Sequence, residues 1–247
     1  MKVTFLGTGG WFATEKRMTS SVLVETKKAQ FVFDAGSGFP RVWKHLNGKP
    51  VFLFLTHYHI DHVVGLFSKA GMGMPGKLTI VGQRGVKRVI ERLLGTPYSP
   101  FTPKNYRFVE MAGGSSIKIG GAKITAANLV HTSPTIGYRL EAEGKAFAYC
   151  TDTQATANAA RLAGKADLLV HDSSYLERER PGLPKNMNGH STVREAALAA
   201  GAAGAKRLAL FHVNCFYGKK EEKEMEKEGR AAFANCFVTR DGQTVTI

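Results

Sequence analysis

The chain has 247 residues, of which 43% are hydrophobic, so one domain over residues 1–247 can bury a sizeable core. No stretch approaches eighteen apolar residues, and the N-terminal apolar run is too short for a signal peptide, which argues against a membrane or exported protein. Lysine and arginine exceed aspartate and glutamate by 34 − 20 = 14, which indicates a solvated basic surface or an anionic partner such as a phosphate ester or nucleic acid. The three cysteines are odd in number and lack metal-site spacing, so they predict reduced thiols in a cytoplasmic protein.

Four strands are predicted in the first 55 residues, at Lys2–Leu6, Ser21–Glu25, Gln30–Phe33 and Val51–Leu55. A glycine turn, Gly7-Thr8-Gly9-Gly10, follows the first strand but lacks the spacing of nucleotide-binding loops. Asp34 follows the third strand, where a turn former is the commoner role and a carboxylate supporting a site is the alternative.

The fourth strand leads directly into Thr56-His57-Tyr58-His59-Ile60-Asp61-His62. Three imidazoles and a carboxylate within six residues are typical of a metal site, because neutral imidazole and carboxylate suit zinc, with manganese and iron as alternatives. His57 and His59 can point the same way, whereas Asp61 and His62 lie one turn later and can serve a second ion. A polar loop with chance histidines is the weaker interpretation, because loops favour Lys, Glu and Asp.

A short helix is predicted over Val63–Ala70, followed by a loop over Gly71–Gly76 that is a candidate pocket rim. A strand at Lys77–Val81 precedes an amphipathic helix over Arg84–Leu94, whose basic face is ordinarily a solvated one. An irregular connection is then marked by Pro97, Pro100 and Pro103.

Polar residues end several of the later strands. Strands are predicted at Tyr106–Glu110, Ser116–Ile119, Ala122–Leu129, Gly137–Glu141, Lys145–Tyr149, Leu168–Val170 and Leu208–Phe211. The residues that follow four of these runs are His131, Asp152, His171-Asp172 and His212. Because such ends converge at one edge of a sheet, we expect a shared site there.

A capping box at Thr192-Val193-Arg194-Glu195 predicts a helix that ends near Ala203. His190 therefore stands ahead of a helix N-terminus, where backbone N–H groups favour an anion. A charged outer helix over Lys219–Phe233 and strands at Ala234–Val238 and Thr244–Ile247 complete the chain.

Together these residues resemble the metallo-β-lactamase superfamily and, within it, the RNase Z-like branch. The HxHxDH motif is matched completely by His57 to His62, and the later His, Asp and His of the family follow in order at His131, Asp152 and His212. HxHxDH alone is shared with glyoxalase II-type thioesterases. The branch assignment depends on Gly189-His190-Ser191-Thr192 and on His171-Asp172-Ser173-Ser174, which is similar to a His-Glu-Ala-Thr motif with Asp in place of Glu.

The resemblance implies an α/β fold, a four-layer αββα sandwich with the site at one edge. It also implies two zinc ions, with manganese or iron as alternatives. The ligands implied for the first ion are His57, His59 and His131. Those implied for the second are Asp61, His62 and His212, with Asp152 bridging both.

The same resemblance implies a hydrolase whose nucleophile is a hydroxide between the ions, since paired ions acidify water and stabilise the attacking and leaving oxygens. Asp61 could also accept a proton. His190, oriented by Asp172, would protonate the leaving alkoxide or steady the charged transition state.

One departure bears on the substrate. RNase Z enzymes carry a protruding arm between the third-motif His and the bridging Asp, whereas 152 − 131 = 21 positions separate His131 from Asp152 here. The sequence therefore favours a phosphodiesterase acting on a small, cyclic or unstructured phosphodiester. The alternatives are a tRNA 3′-processing endonuclease, a thioesterase or lactonase, and an inactive metal-binding module. RNA is a candidate substrate, and relatives of this kind are often homodimers.

Overall fold

The computed structural model describes residues 1–68, 73–74, 78–99, 106–184 and 186–247. Its strands form two seven-stranded sheets within these residues. The first sheet contains, in spatial order, β14 (Thr244–Thr246), β1 (Lys2–Gly7), β2 (Ser21–Glu25), β3 (Gln30–Phe33), β4 (Val51–Phe54), β5 (Leu78–Gly82) and β6 (Tyr106–Glu110). The second contains β13 (Cys236–Val238), β12 (Leu208–Phe211), β11 (Leu168–Asp172), β10 (Lys145–Cys150), β9 (Thr135–Ala142), β8 (Ala122–Leu129) and β7 (Ser116–Ile119).

Each sheet is antiparallel in one half and parallel in the other. Strands β3 to β6 run parallel in the first sheet, and β10 to β13 run parallel in the second. The carboxyl ends of parallel strands lie at one edge, which is where α/β folds bind ligands. The segments that follow β3, β4, β10 and β12 therefore meet at that edge.

Helices cover the outer faces of the sheets. The α-helices in the described residues are α1 (Ile60–Val63), α2 (Val86–Leu93), α3 (Ala157–Leu162), α4 (Val193–Ala203) and α5 (Lys219–Ala232). Short 3₁₀ helices lie at Phe39–His45, Val64–Leu66, Glu177–Gly182 and Met187–Gly189. None of the helices in these segments is long and apolar enough to cross a bilayer.

Three apolar layers hold the sandwich together. The central layer lies between the sheets and is rich in aromatic rings; Phe33 of the first sheet packs 5.1 Å from Phe147 and 5.6 Å from Tyr149 of the second, measured between ring centroids. The outer layers pack helices on sheets, for example Ile90 of α2 on the first sheet and Ala196 of α4 on the second. Because both faces of each sheet are covered, the parallel strands β3, β4 and β5 are buried along most of their length. The four-layer αββα sandwich is confirmed.

Several element boundaries differ from the sequence predictions. The helix predicted over Val63–Ala70 begins earlier, at Ile60, and passes into a 3₁₀ turn at Val64. The strand predicted to stop at Val170 continues through Asp172, so His171 and Asp172 are strand residues. The six-residue α3 was not predicted; its Thr156 cap accepts a hydrogen bond from the Ala159 N–H. Most of the predicted rim at Gly71–Gly76 lies outside the described residues, as do Ala70, Lys77, Pro100 and Pro103.

Candidate metal centre

The histidines and aspartates that follow the strands form two overlapping clusters, and a third group of possible ligands, Asp172, His190 and His212, adjoins the second of them. The ligand atoms within each cluster lie within 4.8 Å of one another. The first cluster consists of His57, His59, His131 and Asp152, and the second of Asp61, His62, Asp152 and His212. The structure thus brings together all seven residues predicted to hold metal, and Asp152 belongs to both groups.

Asp152 divides its two oxygens between the clusters. Its Oδ2 atom lies 3.8 Å from Nε2 of His57 and 3.7 Å from Nε2 of His131. Its Oδ1 atom lies 3.2 Å from Nε2 of His62 and 3.3 Å from Nε2 of His212. A carboxylate with one oxygen toward each cluster is placed to bridge two ions.

Contacts outside the clusters fix the orientation of the imidazoles. In four of them Nδ1 faces an oxygen atom at 2.9–3.1 Å, and the pairs are His57 with Thr56 Oγ1, His62 with Asp34 Oδ2, His131 with the Gly189 carbonyl and His212 with Ser174 Oγ. Such contacts direct the other ring nitrogen inward, as in protein metal sites. They also give Asp34 the supporting role that its sequence position left open.

The inward nitrogens fit metal ions. The Nε2 atoms of His57, His62 and His212 are buried and have no hydrogen-bond partner among the described residues, which is costly unless another group binds their lone pairs. Around a tetrahedral zinc ion, ligand atoms lie about 3.3 Å apart, and the separations around Asp152 Oδ1 are 3.2 and 3.3 Å. The donor set and its spacing therefore suit two ions of the zinc type.

The electrostatics of the clusters favour bound cations. Burial lowers the pKa values of His57 and His131, which keeps these rings neutral, as a metal ligand requires. Burial alone would raise the pKa of Asp152, but the His212 and His62 rings hold it well below its usual range. For His62, burial is outweighed by Asp152, Asp61 and Asp34, which raise its pKa well above the usual value. The site therefore concentrates negative charge.

Close backbone packing positions these side chains. Asp34, Asp152 and His212 have φ values of 58°, 52° and 58°, in the left-handed region that costs energy for these residue types. Gly10 lies directly beside His212, and a Cβ atom there would be 2.3 Å from Cε1 of that ring. The glycine turn that lacked nucleotide-loop spacing therefore makes room for an imidazole.

His190 and Asp172 form a buried pair beside the clusters. His190 Nδ1 lies 2.6 Å from Asp172 Oδ2, while Asp172 Oδ1 accepts hydrogen bonds from the Ser174 and Ser191 N–H groups, each at 3.1 Å. Burial opposes the charged ring, but the Asp172 carboxylate outweighs it and raises the pKa of His190 to about 9. His190 also lines a cavity of about 230 Å³ with Asp61, His131 and Asp152, so the pair faces the same space as the metal ligands.

Trp11 was not predicted as a site residue. Its backbone N–H donates to Asp61 Oδ2 at 3.0 Å, and its indole N–H donates to His190 Nε2 at 3.3 Å. The indole contact requires a lone pair on Nε2 and therefore belongs to the neutral form of His190. Trp11 follows the glycine turn without any ligand-like spacing, so no sequence pattern pointed to it.

Ser174 was quoted only as part of a motif, yet its hydroxyl lies 3.0 Å from His212 Nδ1 and 3.0 Å from Asp172 Oδ1. It therefore links a metal-facing histidine to the His190–Asp172 pair. His171, the neighbour of Asp172 in β11, belongs to none of these clusters; its Nδ1 contacts the Asp172 carbonyl at 2.8 Å.

Comparisons with known proteins agree with this geometry. Residues 19–213 match the family described as the β-lactamase superfamily domain. Ribonuclease Z of Bacillus velezensis is 28% identical over 309 aligned positions that cover 100% of this chain and 99% of the relative. Among solved structures, the metallo-β-lactamase fold protein YhfI of Bacillus subtilis superposes with a TM-score of 0.83 at 19% identity, covering 99% of this chain and 98% of the other. A diphosphatase of the PhnP family superposes with a TM-score of 0.74 at 18% identity, covering 100% and 97%.

Proposed function

The chain belongs to the metallo-β-lactamase superfamily and is a metal-dependent hydrolase, and from this premise we propose that it hydrolyses a small, cyclic or unstructured phosphodiester. The observation that carries the proposal is the position of His190, which faces the cavity of the metal ligands while Asp172 holds its other nitrogen. A metal pair with an acid beside it suits the cleavage of an ester with a poor leaving group.

The two clusters would hold the ions. The proposed ligands are His57, His59 and His131 for one ion, Asp61, His62 and His212 for the other, and Asp152 for both. Two divalent ions, which we propose to be zinc with manganese or iron as alternatives, acidify water and stabilise charge on phosphoryl oxygens when bound.

The residues around the ions have separate tasks. The Trp11 backbone N–H holds Asp61 at 3.0 Å, which leaves the other carboxylate oxygen available to accept a proton. His190 would donate a proton from Nε2 to the departing alkoxide, and Asp172 would keep the ring in the required orientation.

The size of the site supports a slender substrate. The cavity beside the ligands has a volume of about 230 Å³, which accommodates one phosphodiester group and little more. The alignment with ribonuclease Z spans 309 positions against 247 residues here, so about 309 − 247 = 62 positions have no counterpart in this chain. A missing arm is consistent with that difference.

Two other hydrolase functions remain as alternatives. The similarity to ribonuclease Z over the full chain favours tRNA 3′ processing, which would have to use the basic surface or a partner subunit for tRNA binding. A thioesterase or lactonase is the third candidate, and the thioesterase is the less well supported of these two because a thiolate departs without an acid such as His190. The single domain over residues 1–247, the cytoplasmic location and a homodimer stay predictions.

Hydrolysis of four substrates by one zinc- or manganese-loaded preparation tests the proposal. The panel consists of bis-p-nitrophenyl phosphate, 2′,3′-cyclic nucleotides, precursor tRNA and a thioester. We expect the diesters to be hydrolysed with a higher kcat/KM than the thioester. Precursor tRNA should have a kcat/KM that is little above that of the diesters. A far higher kcat/KM for precursor tRNA would establish the processing enzyme instead, and a preference for the thioester would refute the phosphodiesterase.

A further inference from the structure

A second and larger recess lies beside the metal loop. It is a groove of about 910 Å³ lined by Ile60, Arg88, Val89, Arg92, Leu93 and Tyr98. Ile60 stands between the metal ligands His59 and Asp61 and is 62% exposed, and Tyr98 is 67% exposed. The groove therefore combines apolar side chains with two arginines next to the reaction centre.

A smaller cleft shares the ligand candidate His59 with the cavity of the metal centre. The cleft has a volume of about 260 Å³, and its lining includes His59, Arg84 and Ser133. His59 also lines the cavity of the metal ligands, and Ile60, which follows it, lines the groove. The cleft and the groove are thus lined by Arg84, Arg88 and Arg92, from α2 and the residues just before it, and each recess also has a lining residue from the metal loop, His59 or Ile60.

The positive charge along this path is uncompensated. Arg84, Arg88 and Arg92 are exposed, and none of them forms an ion pair with any residue in the described segments. Arg17 and Arg41, in contrast, lie 2.8 Å and 2.6 Å from carboxylate oxygens. Nearby acidic groups are engaged elsewhere on this surface, since Glu91 lies 3.9 Å from Lys87 and Glu110 accepts a hydrogen bond from the Gly85 N–H at 2.7 Å.

We infer that this path, the arginine track, binds the phosphates of a single-stranded polynucleotide whose scissile phosphodiester lies at the metal centre. The inference rests on the proposed function and selects an unstructured strand from the substrates it allows. Arg88 and Arg92 are one helical turn apart, which places their Cα atoms about 6 Å from each other along the axis. That spacing is comparable to the distance between successive phosphates in an extended strand. The exposed ring of Tyr98 offers a base a surface on which to stack.

Charge complementarity distinguishes this occupant from a second copy of the chain. The chain carries a formal charge of +14, so two copies that met at the arginine track would place uncompensated guanidinium groups together. A phosphodiester strand supplies the opposite charge at regular intervals. A strand that is cleaved at the metal centre would also continue away from it toward the neighbouring recesses.

The direct test is binding of a fluorescein-labelled twelve-nucleotide oligouridylate, measured by fluorescence anisotropy on the full chain over a range of salt concentrations. The variant Arg84→Gln/Arg88→Gln/Arg92→Gln removes three charges from the track. The matched control Lys27→Gln/Lys28→Gln/Lys118→Gln removes three charges from exposed positions at the opposite ends of the strands. We expect the track variant to bind about tenfold or more weakly at low salt and to lose about 2 units from the slope of log K against log salt, at about 0.7 per phosphate contact. The control should resemble the wild type.

A kinetic comparison separates this inference from the proposed function. We expect the ratio of kcat/KM for the oligonucleotide to kcat/KM for bis-p-nitrophenyl phosphate to fall about tenfold in the track variant. If the wild type cleaves neither compound, the proposed function fails, while the anisotropy still decides whether the track binds a strand. Equal oligonucleotide affinity in the track and control variants would overturn the inference. A change from dimer to monomer in the track variant without a change in oligonucleotide binding would also overturn it, because the surface would then join two copies.

Discussion

The Nδ1 atom of His190 lies 2.6 Å from the Oδ2 atom of Asp172, and both side chains are buried beside the metal ligands. The contact fixes the ring and leaves Nε2 as the nitrogen that faces the cavity. Both residues form a third group of possible ligands with His212, but the two clusters that share Asp152 are complete without them. The pair can therefore act on the leaving group without holding an ion.

His190→Ala should retain both ions and the fold while the rate falls about 10²–10⁴-fold, the usual effect of removing a positioned acid. The loss should be largest for an alkoxide leaving group and small for p-nitrophenolate, which departs without a proton. Steady-state kinetics with bis-p-nitrophenyl phosphate and with a 2′,3′-cyclic nucleotide measure this difference. Metal analysis of each preparation shows whether both ions are retained.

Asp172→Asn provides the comparison, because it keeps His190 but weakens its orientation; we expect the same pattern in milder form. Equal losses for both leaving groups, or loss of metal from His190→Ala, would remove His190 from the reaction.

Trp11→Phe should raise the pKa of His190 and move the alkaline limb of the kcat/KM profile for a diester about 0.5–1 pH unit higher. The indole N–H lies 3.3 Å from His190 Nε2 and can donate only to the neutral ring, so its removal withdraws one hydrogen bond, about 0.5–1.5 kcal/mol, from the neutral form alone. Phenylalanine keeps an aromatic ring in place but has no donor.

Trp43→Phe is the control, since Trp43 is the other tryptophan of the chain and belongs to the 3₁₀ helix at Phe39–His45. Its pH profile should match that of the wild type. An alkaline limb that stays at the wild-type pH in Trp11→Phe would mean that the indole does not donate to His190.

Gly10→Ala should weaken the binding of metal about tenfold or more, since its Cβ would lie 2.3 Å from His212 and displace that ring from its required position. Titration of the metal-free protein with zinc in competition with a chromophoric chelator gives the affinity.

Gly201→Ala tests whether the effect is specific. Apart from the backbone of α4 itself, no atom of the described residues lies within 4 Å of a Cβ at this exposed position, so the variant should keep its metal affinity and gain about 0.5–1 kcal/mol in free energy of unfolding. Unchanged zinc binding by Gly10→Ala would show that His212 is not constrained by the turn.

Asp34→Asn should lower metal affinity about 10- to 100-fold, the usual effect of altering a residue that orients a ligand. Asp34 Oδ2 lies 2.9 Å from His62 Nδ1, and the same carboxylate accepts hydrogen bonds from the Thr56 N–H and the Tyr149 hydroxyl. Asp167→Asn changes a carboxylate that contacts Lys206 at 2.9 Å and should leave the affinity as it is. If both variants bind zinc equally well, Asp34 does not support His62.

The sequence predicted which side chains meet at this edge, because their positions follow from local pattern. Apolar strands that end in His or Asp place those residues at one edge once the strands are parallel, and this holds for His57, Asp152 and His212. The pairing of β10, β11 and β12 is parallel as that argument requires.

Contacts between segments that are distant along the chain could not be predicted from the sequence. Trp11 and His190 are separated by 179 positions, and no periodicity links them. The supporting role of Asp34 depends on the pairing of β3 with β4, which brings it within 2.8 Å of the Thr56 N–H. The short helix α3 was missed because six residues give too little periodic pattern to recognise.

A two-ion centre bridged by Asp152 is tested most directly by the number of metal ions bound per chain. Native mass spectrometry of zinc-reconstituted protein should show two ions in the wild type. Asp152→Ala should lose the second ion before the first, because this carboxylate has one oxygen toward each cluster. Two results would contradict the two-ion centre. One is a well-folded wild type that binds no metal at saturating zinc, and the other is an Asp152→Ala variant that keeps both ions at wild-type affinity.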